Sequence, residues 1–258
     1  MRPVFNFLVA FAAALAIIVD PAQAEPLKLG GSTTFNFVIM QPYRVKIEKA
    51  SKTELTVTPS KSSGGIISLL ERRIDIAMLS APFEGKIELL RSSHLDLPFH
   101  QLRHFPITRT RMAFAVHPEI TVRSLTAQQM RRVLSGDVEN WRDLGGPDLP
   151  IRLVMVREGG GVKLTVEREL LEGKPITVRD AIYVQSGSQV VRVVQQLPGA
   201  LGLAQLNRLR TENLPEIVLA DHQVSQELSL VTLGEPSRAA KAVIDATRDV
   251  AQKLMNDD

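Results

Sequence analysis

Three short loops rich in Gly, Ser and Thr constrain this chain more than any other feature. They read Gly30-Gly31-Ser32-Thr33-Thr34, Ser60-Lys61-Ser62-Ser63-Gly64-Gly65 and Arg157-Glu158-Gly159-Gly160-Gly161. Each follows an apolar run with strand character, at residues 27–29, 55–58 and 151–156, and each precedes a segment with helical apolar spacing. Strand, loop and helix in that order form the repeating unit of α/β proteins with mostly parallel sheets. At the start of such a helix several backbone N–H groups lack partners and point at one spot, where the helix dipole adds partial positive charge. Three such loops predict a polar pocket built to hold an anion without any reaction.

The N-terminus predicts a destination. Arg2 supplies a positive start, residues 4–19 are apolar except for Asn6, and Ala22-Gln23-Ala24 offers a small-residue cleavage site. This is the pattern of a secretory signal peptide, residues 1–24, cut between Ala24 and Glu25. The apolar stretch is short for a membrane span, which needs about 20 residues, and Asp20 and Pro21 follow at once. The chain has no cysteine. That excludes disulfides, thiolate metal sites, a cysteine nucleophile and a lipid-modified N-terminal cysteine. A soluble periplasmic protein of about 230 residues is expected, long enough to rest on its own core. Arg2 and Asp20 leave together, so the formal net charge stays at +3. Such a balance helps attract anions, but with few aromatics and no basic-aromatic stripe it argues against nucleic acid as a partner.

Helical patterns occupy residues 34–50, irregular at Pro42, then 62–72, 85–91, 126–134, 161–171, 188–196 and 237 to about 255. The helix from 126 would be capped by Thr126 or Ser124. Strand patterns occupy 74–79, 200–204 and 228–233, and residues 105–116 form a long extended run. No Pro-, Gly- or Ser-rich linker divides the chain, yet one sheet would be large for this length. Two lobes joined by continuous strands are expected, with the crossings near 105–116 and 228–233. The first lobe would comprise residues 25–108 and 227–258, and the second 109–226.

Several segments carry a family resemblance. They are Gly31-Ser32-Thr33-Thr34, Ser62-Ser63-Gly64-Gly65, the run from Asp75 to Pro82, the run from Leu134 to Asp148, Leu197-Pro198-Gly199-Ala200-Leu201-Gly202 and Gly234-Glu235-Pro236-Ser237. In order and spacing they resemble the phosphate-binding proteins of ABC transporters, within the type II periplasmic solute-binding proteins. The Ser-Gly-x-x-x-x-Trp-x-x-x-Gly-Gly-Pro-Asp segment at 135–148 is the most specific part. The resemblance implies an α/β fold of the periplasmic-binding-protein type II. Each lobe would be a mostly parallel sheet flanked by helices, with the ligand cleft between lobes. It also implies that Ser32, Thr33, Thr34, Ser62 and Ser63 donate hydroxyls to an oxyanion and that Gly64 lets backbone approach closely.

The second lobe departs from the family pattern. Where the family reads Arg-x-Asp/Glu-Gly-Ser-Gly-Thr, this chain reads Val156-Arg157-Glu158-Gly159-Gly160-Gly161-Val162. Val156, Gly160 and Val162 thus stand in place of an arginine, a serine and a threonine. Ser80 stands where some members carry an aspartate that accepts the phosphate proton. Charge-assisted hydrogen bonds contribute about 1.5–3 kcal/mol each, so an altered or weakened anion site is expected. Arg157 and Lys163 are nearby cations, although neighbouring strand residues face opposite ways. The candidate ligand-binding set is Ser32, Thr33, Thr34, Ser62, Ser63, Gly64, Ser80, Arg157, Gly159, Gly160 and Gly161.

Other residues read more plainly. His100 and His104 would lie about 13 Å apart on extended chain at roughly 3.3 Å per residue, as surface histidines rather than metal ligands. Arg103, Arg109 and Arg111 read as a solvated strand edge. Ser186-Gly187-Ser188 reads equally as a cleft lining or a helix cap. Trp141 reads as core beneath a turn, and Glu158 as a loop brace. The expected function is a periplasmic solute-binding protein for phosphate or a related oxyanion. It would act as a monomer, with no cofactor and no catalysis, and with an ABC transporter permease or a membrane sensor as partner. The alternative is a sensor or accessory protein whose ligand is another protein. A hydrolase has little support, since no Gly-x-Ser-x-Gly elbow is present. N-terminal sequencing of a periplasmic extract is expected to return Glu25 first; an intact Met1 in the membrane fraction would refute the signal reading.

Overall fold

A computed structural model describes residues 25–93, 96–157 and 161–256. The first apolar run extends to Ser32 as β1 (Leu27–Ser32), with β2 (Leu55–Ser60) and β3 (Ile76–Leu79) as parallel neighbours. From β1 the chain enters α1 (Thr33–Phe35), widens into a π-helical turn at Asn36–Met40 and continues as α2 (Gln41–Ser51). The expected irregularity therefore lies one turn before Pro42. A proline ring crowds the carbonyl four residues back and offers no N–H to it, which the wider turn accommodates. α3 (Ser62–Leu70) leads back to β3, and α4 (Phe83–Arg91) follows.

The extended run 105–116 forms part of β4 (Leu102–Val116), and 228–233 part of β10 (Ser225–Leu233). Between them come β5 (Ser124–Leu125), α5 (Ala127–Ser135), β6 (Arg152–Val156), α6 (Gly161–Glu169) and β7 (Ile182–Val184). Then follow α7 (Gly187–Gln196), β8 (Ala200–Gln205), α8 (Leu206–Thr211) and β9 (Glu216–Leu219). The chain ends on α9 (Arg238–Asn256). Neither β7, α8 nor β9 is marked by the sequence pattern; each spans six residues or fewer, too short for a period to show. Thr126 is the cap of α5, in a reciprocal capping box with Gln129, while Ser124 belongs to β5.

The strand order is β2-β1-β3-β10-β4-β8-β6-β7, with β9 beside β4 and β5. β2, β1 and β3 form one parallel block, and β8, β6 and β7 another. β10 and β4 stand between them, antiparallel to each other and to their outer neighbours. β4 pairs with β10 from Leu102 to Arg111 and with β8 from Met112 to Val116, so one strand serves both lobes. The ladder slips at Leu228/Ser229, opposite Thr108 and Pro106. Pro106 has no N–H to give there, and an irregularity of this kind bends the strand.

Each sheet buries both faces. In β3, Ile76 and Met78 join the core under α2 and α9, while Ala77 and Leu79 join the core under α3 and α4; all four are fully buried. In the second lobe Phe114 and Val116 pack with Leu201, Leu203 and Val166 on one side, and Ala113 and Ala115 with Val190 and Val194 on the other. Trp141 is fully buried, and its indole N–H donates to Gly199 O at 2.9 Å, which anchors the turn it begins. Among the described residues Lys86 is the charged side chain in the core. Burial pushes its pKa down from 10.5 to about 8.

Two glycines set how closely α3 meets β1. A Cβ on Gly65 would lie 2.6 Å from Gly31 Cα and 2.9 Å from Gly30 O. Gly31 itself has φ +117°, and a Cβ there would lie 2.5 Å from Met78 O. Gly65→Ala is therefore expected to lower stability by about 1–3 kcal/mol, the range for overpacking. Gly85→Ala, on α4 with nothing within 4 Å, is expected to raise it by about 0.5–1 kcal/mol. Urea unfolding of both variants measures this opposition of sign. For Lys86, folded and unfolded chains are both protonated below pH 8. Between pH 8 and 10.5 the unfolded chain binds the extra proton, so stability is expected to rise with pH there, by up to about 1.4 kcal/mol per unit. Lys86→Met is expected to flatten that part of the profile, and an unchanged slope would refute the assignment.

Candidate anion-binding cleft

Six parallel strands, three from each lobe, deliver their carboxyl ends to one cavity of about 350 Å³. Ligands of open α/β sheets bind at these ends, because the following helix starts there with free N–H groups. β1 brings Ser32, with Thr33 and Thr34 behind it; β2 brings Ser60, with Lys61 and Ser62 behind it; β3 is followed by Ser80. From the second lobe come Val156 of β6, Gly161 and Val162 of α6, Gln185, Ser186 and Gly187 before and at α7, and Leu203 and Gln205 of β8. The starts of α1, α3, α6 and α7 thus share one space.

Ser80 is the node of this space. Its N–H donates to Ser62 Oγ at 3.2 Å, its hydroxyl accepts from Ser32 Oγ at 2.6 Å, and its carbonyl accepts from Gln226 Nε2 at 2.7 Å. Ser32 Oγ also accepts from Phe35 N at 3.0 Å, which caps α1. Gly161 rests directly on the Ser80 carbonyl, so closely that any Cβ would collide with it. Gln205 extends the network, with its Nε2 donating to Thr34 Oγ1 and to Gln226 Oε1, each at 3.1 Å. Both glutamines are buried, and the Gln205–Thr34 bond joins the second lobe to the first. A second tie lies nearby: the Arg208 guanidinium stacks 3.9 Å over the Phe37 ring and donates to Ser188 Oγ at 2.8 Å. Burial lowers the pKa of Arg208, and Glu212 opposes that shift.

The cavity gathers Ser32, Thr33, Thr34, Ser62, Ser80 and Gly161 from the candidate set. Gly159, Gly160 and Glu158 lie outside the described residues. Ser63 does not line the cavity; its Oγ accepts from Lys86 Nζ at 3.4 Å. Nor does Gly64, whose Cβ position is 3.4 Å from Ser60 Oγ. The close backbone approach expected of Gly64 belongs to Gly65. Arg157 does not line the cavity either: Val156 turns inward, so the strand turns Arg157 out, where it is exposed and its N–H pairs with Val184 O at 2.8 Å. Lys61 is the charged side chain among the described lining residues. Ser186 is both lining and cap, since it faces the cavity and accepts from Gln189 N.

Sequence reasoning missed Gln205 and Gln226. Both are polar residues at the end of apolar strands, and a buried amide there needs partners from another segment. His104 is a correction: it is half-buried, stacked on Phe83 at 4.4 Å and 3.0 Å from Glu227 Oε1, while His100 is exposed. Arg103, Arg109 and Arg111 are exposed as expected, with Arg103 paired to Glu235 and Arg109 to Glu169.

Comparison with known proteins agrees with this layout. The chain is 22% identical over 257 residues to the phosphate-binding protein PstS of Bacillus subtilis, covering 92% of this chain and 82% of that one. A putative phosphate ABC transporter substrate-binding protein of Clostridium perfringens, solved with bound phosphate, superposes with a TM-score of 0.74 at 19% identity, over 90% of this chain and 97% of that one. An ABC-type phosphate transport receptor of Vibrio cholerae gives 0.65 at 20% identity, over the same shares. The model of the PBP superfamily domain matches residues 19–257. That match runs through both parallel blocks and both crossing strands, and the chain belongs to the PBP superfamily, as a phosphate-binding-protein-like member of its type II fold.

Proposed function

We propose that this chain is a periplasmic binding protein that captures a small oxyanion, phosphate or a relative of it, and presents it to an ABC transporter permease. The observation that carries this reading is the convergence of four helix starts and seven hydroxyl-bearing residues, Ser32, Thr33, Thr34, Ser60, Ser62, Ser80 and Ser186, on one cavity. Backbone N–H groups and hydroxyls are donors, and an oxyanion presents acceptor oxygens to them. Ser80 Oγ accepts from Ser32, which turns its own proton toward other acceptors. No reaction is asked of the site; it has donors for an anion and no arrangement of base and nucleophile among the described residues.

Lobes comprising residues 25–108 with 227–258, and 109–226, would close on the ligand by bending at the crossing strands β4 and β10. Gly161 on Ser80, Gln205 on Thr34 and Arg208 on Phe37 are then contacts of the closed form, and ligand binding shifts the population toward it. The names of the relatives support phosphate as the reference ligand. Residues 1–24 direct export, and the mature protein works as a monomer. A second reading, a sensor or accessory protein acting through protein partners, draws support from Val156 and Val162, whose side chains bring no donor to the cavity.

Calorimetric titration of residues 25–258 against phosphate, sulfate, molybdate and small carboxylates at matched salt separates the two. Saturable binding of at least one anion is expected, and none at all would leave the accessory reading. Ser80→Ala is expected to weaken that binding at least tenfold, or about 1.4 kcal/mol. Arg157→Ala, outside the cavity, is expected to change it less than twofold. The reverse ranking would mean that the second-lobe loop, not Ser80, holds the charge.

A further inference from the structure

The cavity is not equally polar around its wall. On the first-lobe side it presents the hydroxyls of Ser32, Ser62 and Ser80. On the second-lobe side β6, β8 and the start of α6 present Val156, Leu203 and Val162, beside the polar Gln185, Ser186 and Gln205. Leu203 and Val162 are buried, whereas Val156 is only partly so. Apolar side chains facing a tetrahedral anion offer it no donor, and each of its oxygens that leaves water needs one.

Size points the same way. At about 30 Å³ per heavy atom, the share of a liquid water molecule, an oxyanion of five heavy atoms fills about 150 Å³. The cavity offers about 350 Å³. An oxyanion head on the hydroxyl side with an apolar substituent toward the valines satisfies both walls.

Resting on the reading of this cleft as an oxyanion site, we propose that its ligand is an organic oxyanion. A short alkyl or similar apolar group lies against Val156, Val162 and Leu203, and the anionic head lies on Ser62 and Ser80, with Ser32 donating to Ser80 from behind. The apolar wall selects the ligand, and inorganic phosphate is the weaker competitor.

The test is calorimetric titration of residues 25–258 with phosphate, methylphosphonate and butylphosphonate, and with butanesulfonate and pentanoate to identify the head. Each methylene that leaves water is worth a factor of about four in affinity. Butylphosphonate is expected to bind at least tenfold tighter than methylphosphonate and tighter than phosphate. Val156→Thr and Val162→Thr keep side-chain volume and add a hydroxyl. Each is expected to reduce the preference for butylphosphonate over phosphate at least threefold, a ratio insensitive to a general loss of folded protein. Phosphate as the tightest ligand, with no gain along the alkyl series, would overturn this inference and leave the oxyanion-binding function standing. Binding of none of these anions would overturn both.

Discussion

Every polar atom of Ser80 is committed, and the site depends on that. Its N–H reaches Ser62, its hydroxyl takes the Ser32 proton and its carbonyl takes the Gln226 amide and the weight of Gly161. Buried polar groups without partners cost about 1–3 kcal/mol each, so these bonds fix three loops against one another more firmly than apolar contact would. Two first-lobe loops are thereby held at one point, and the second lobe touches that point through a glycine. Ser80 is 3% exposed, with Ser32 and Ser62 bonded to it on either side.

This node is useful because of where the strands end. The two parallel blocks face their carboxyl ends toward each other across the antiparallel pair β10 and β4. Parallel strands all end on the same side, and each is followed by a helix whose first N–H groups are free. Two blocks joined in this way put six strand ends around one cavity without any long loop. The crossing strands carry the cost of that arrangement, with a slipped register and a proline where β10 and β4 pass between lobes.

Charge is distributed sparingly around the cleft. Lys61 lines it, Lys86 lies buried beneath α3 with its Nζ on Ser63, and Arg208 sits on Phe37 beside Gly187. Burial weakens the hold of both Lys86 and Arg208 on their protons. The second-lobe wall carries the apolar Val156, Val162 and Leu203 beside the polar Gln185, Ser186 and Gln205.

The sequence by itself determined the α/β class, the long crossing strands, the buried Trp141 and part of the loop set that meets in the cleft, Ser32, Thr33, Thr34, Ser62, Ser80 and Gly161. These follow from local chemistry, apolar period and glycine or hydroxyl at a helix start, whereas the choice of Thr126 over Ser124 as cap needed the structure. Only the tertiary structure decided which member of each neighbouring pair faces the cavity. Ser62 enters it and Ser63 turns to Lys86; Val156 enters it and Arg157 turns to solvent. Strand parity and helix phase set these directions, and both are fixed by packing against segments far away in the chain, as Gly65 on Gly31 shows. Gln205 and Gln226 were hidden for the same reason. Their partners, Thr34 and Ser80, lie more than 140 residues away in sequence, and a hydrogen bond at that range leaves no local pattern to read.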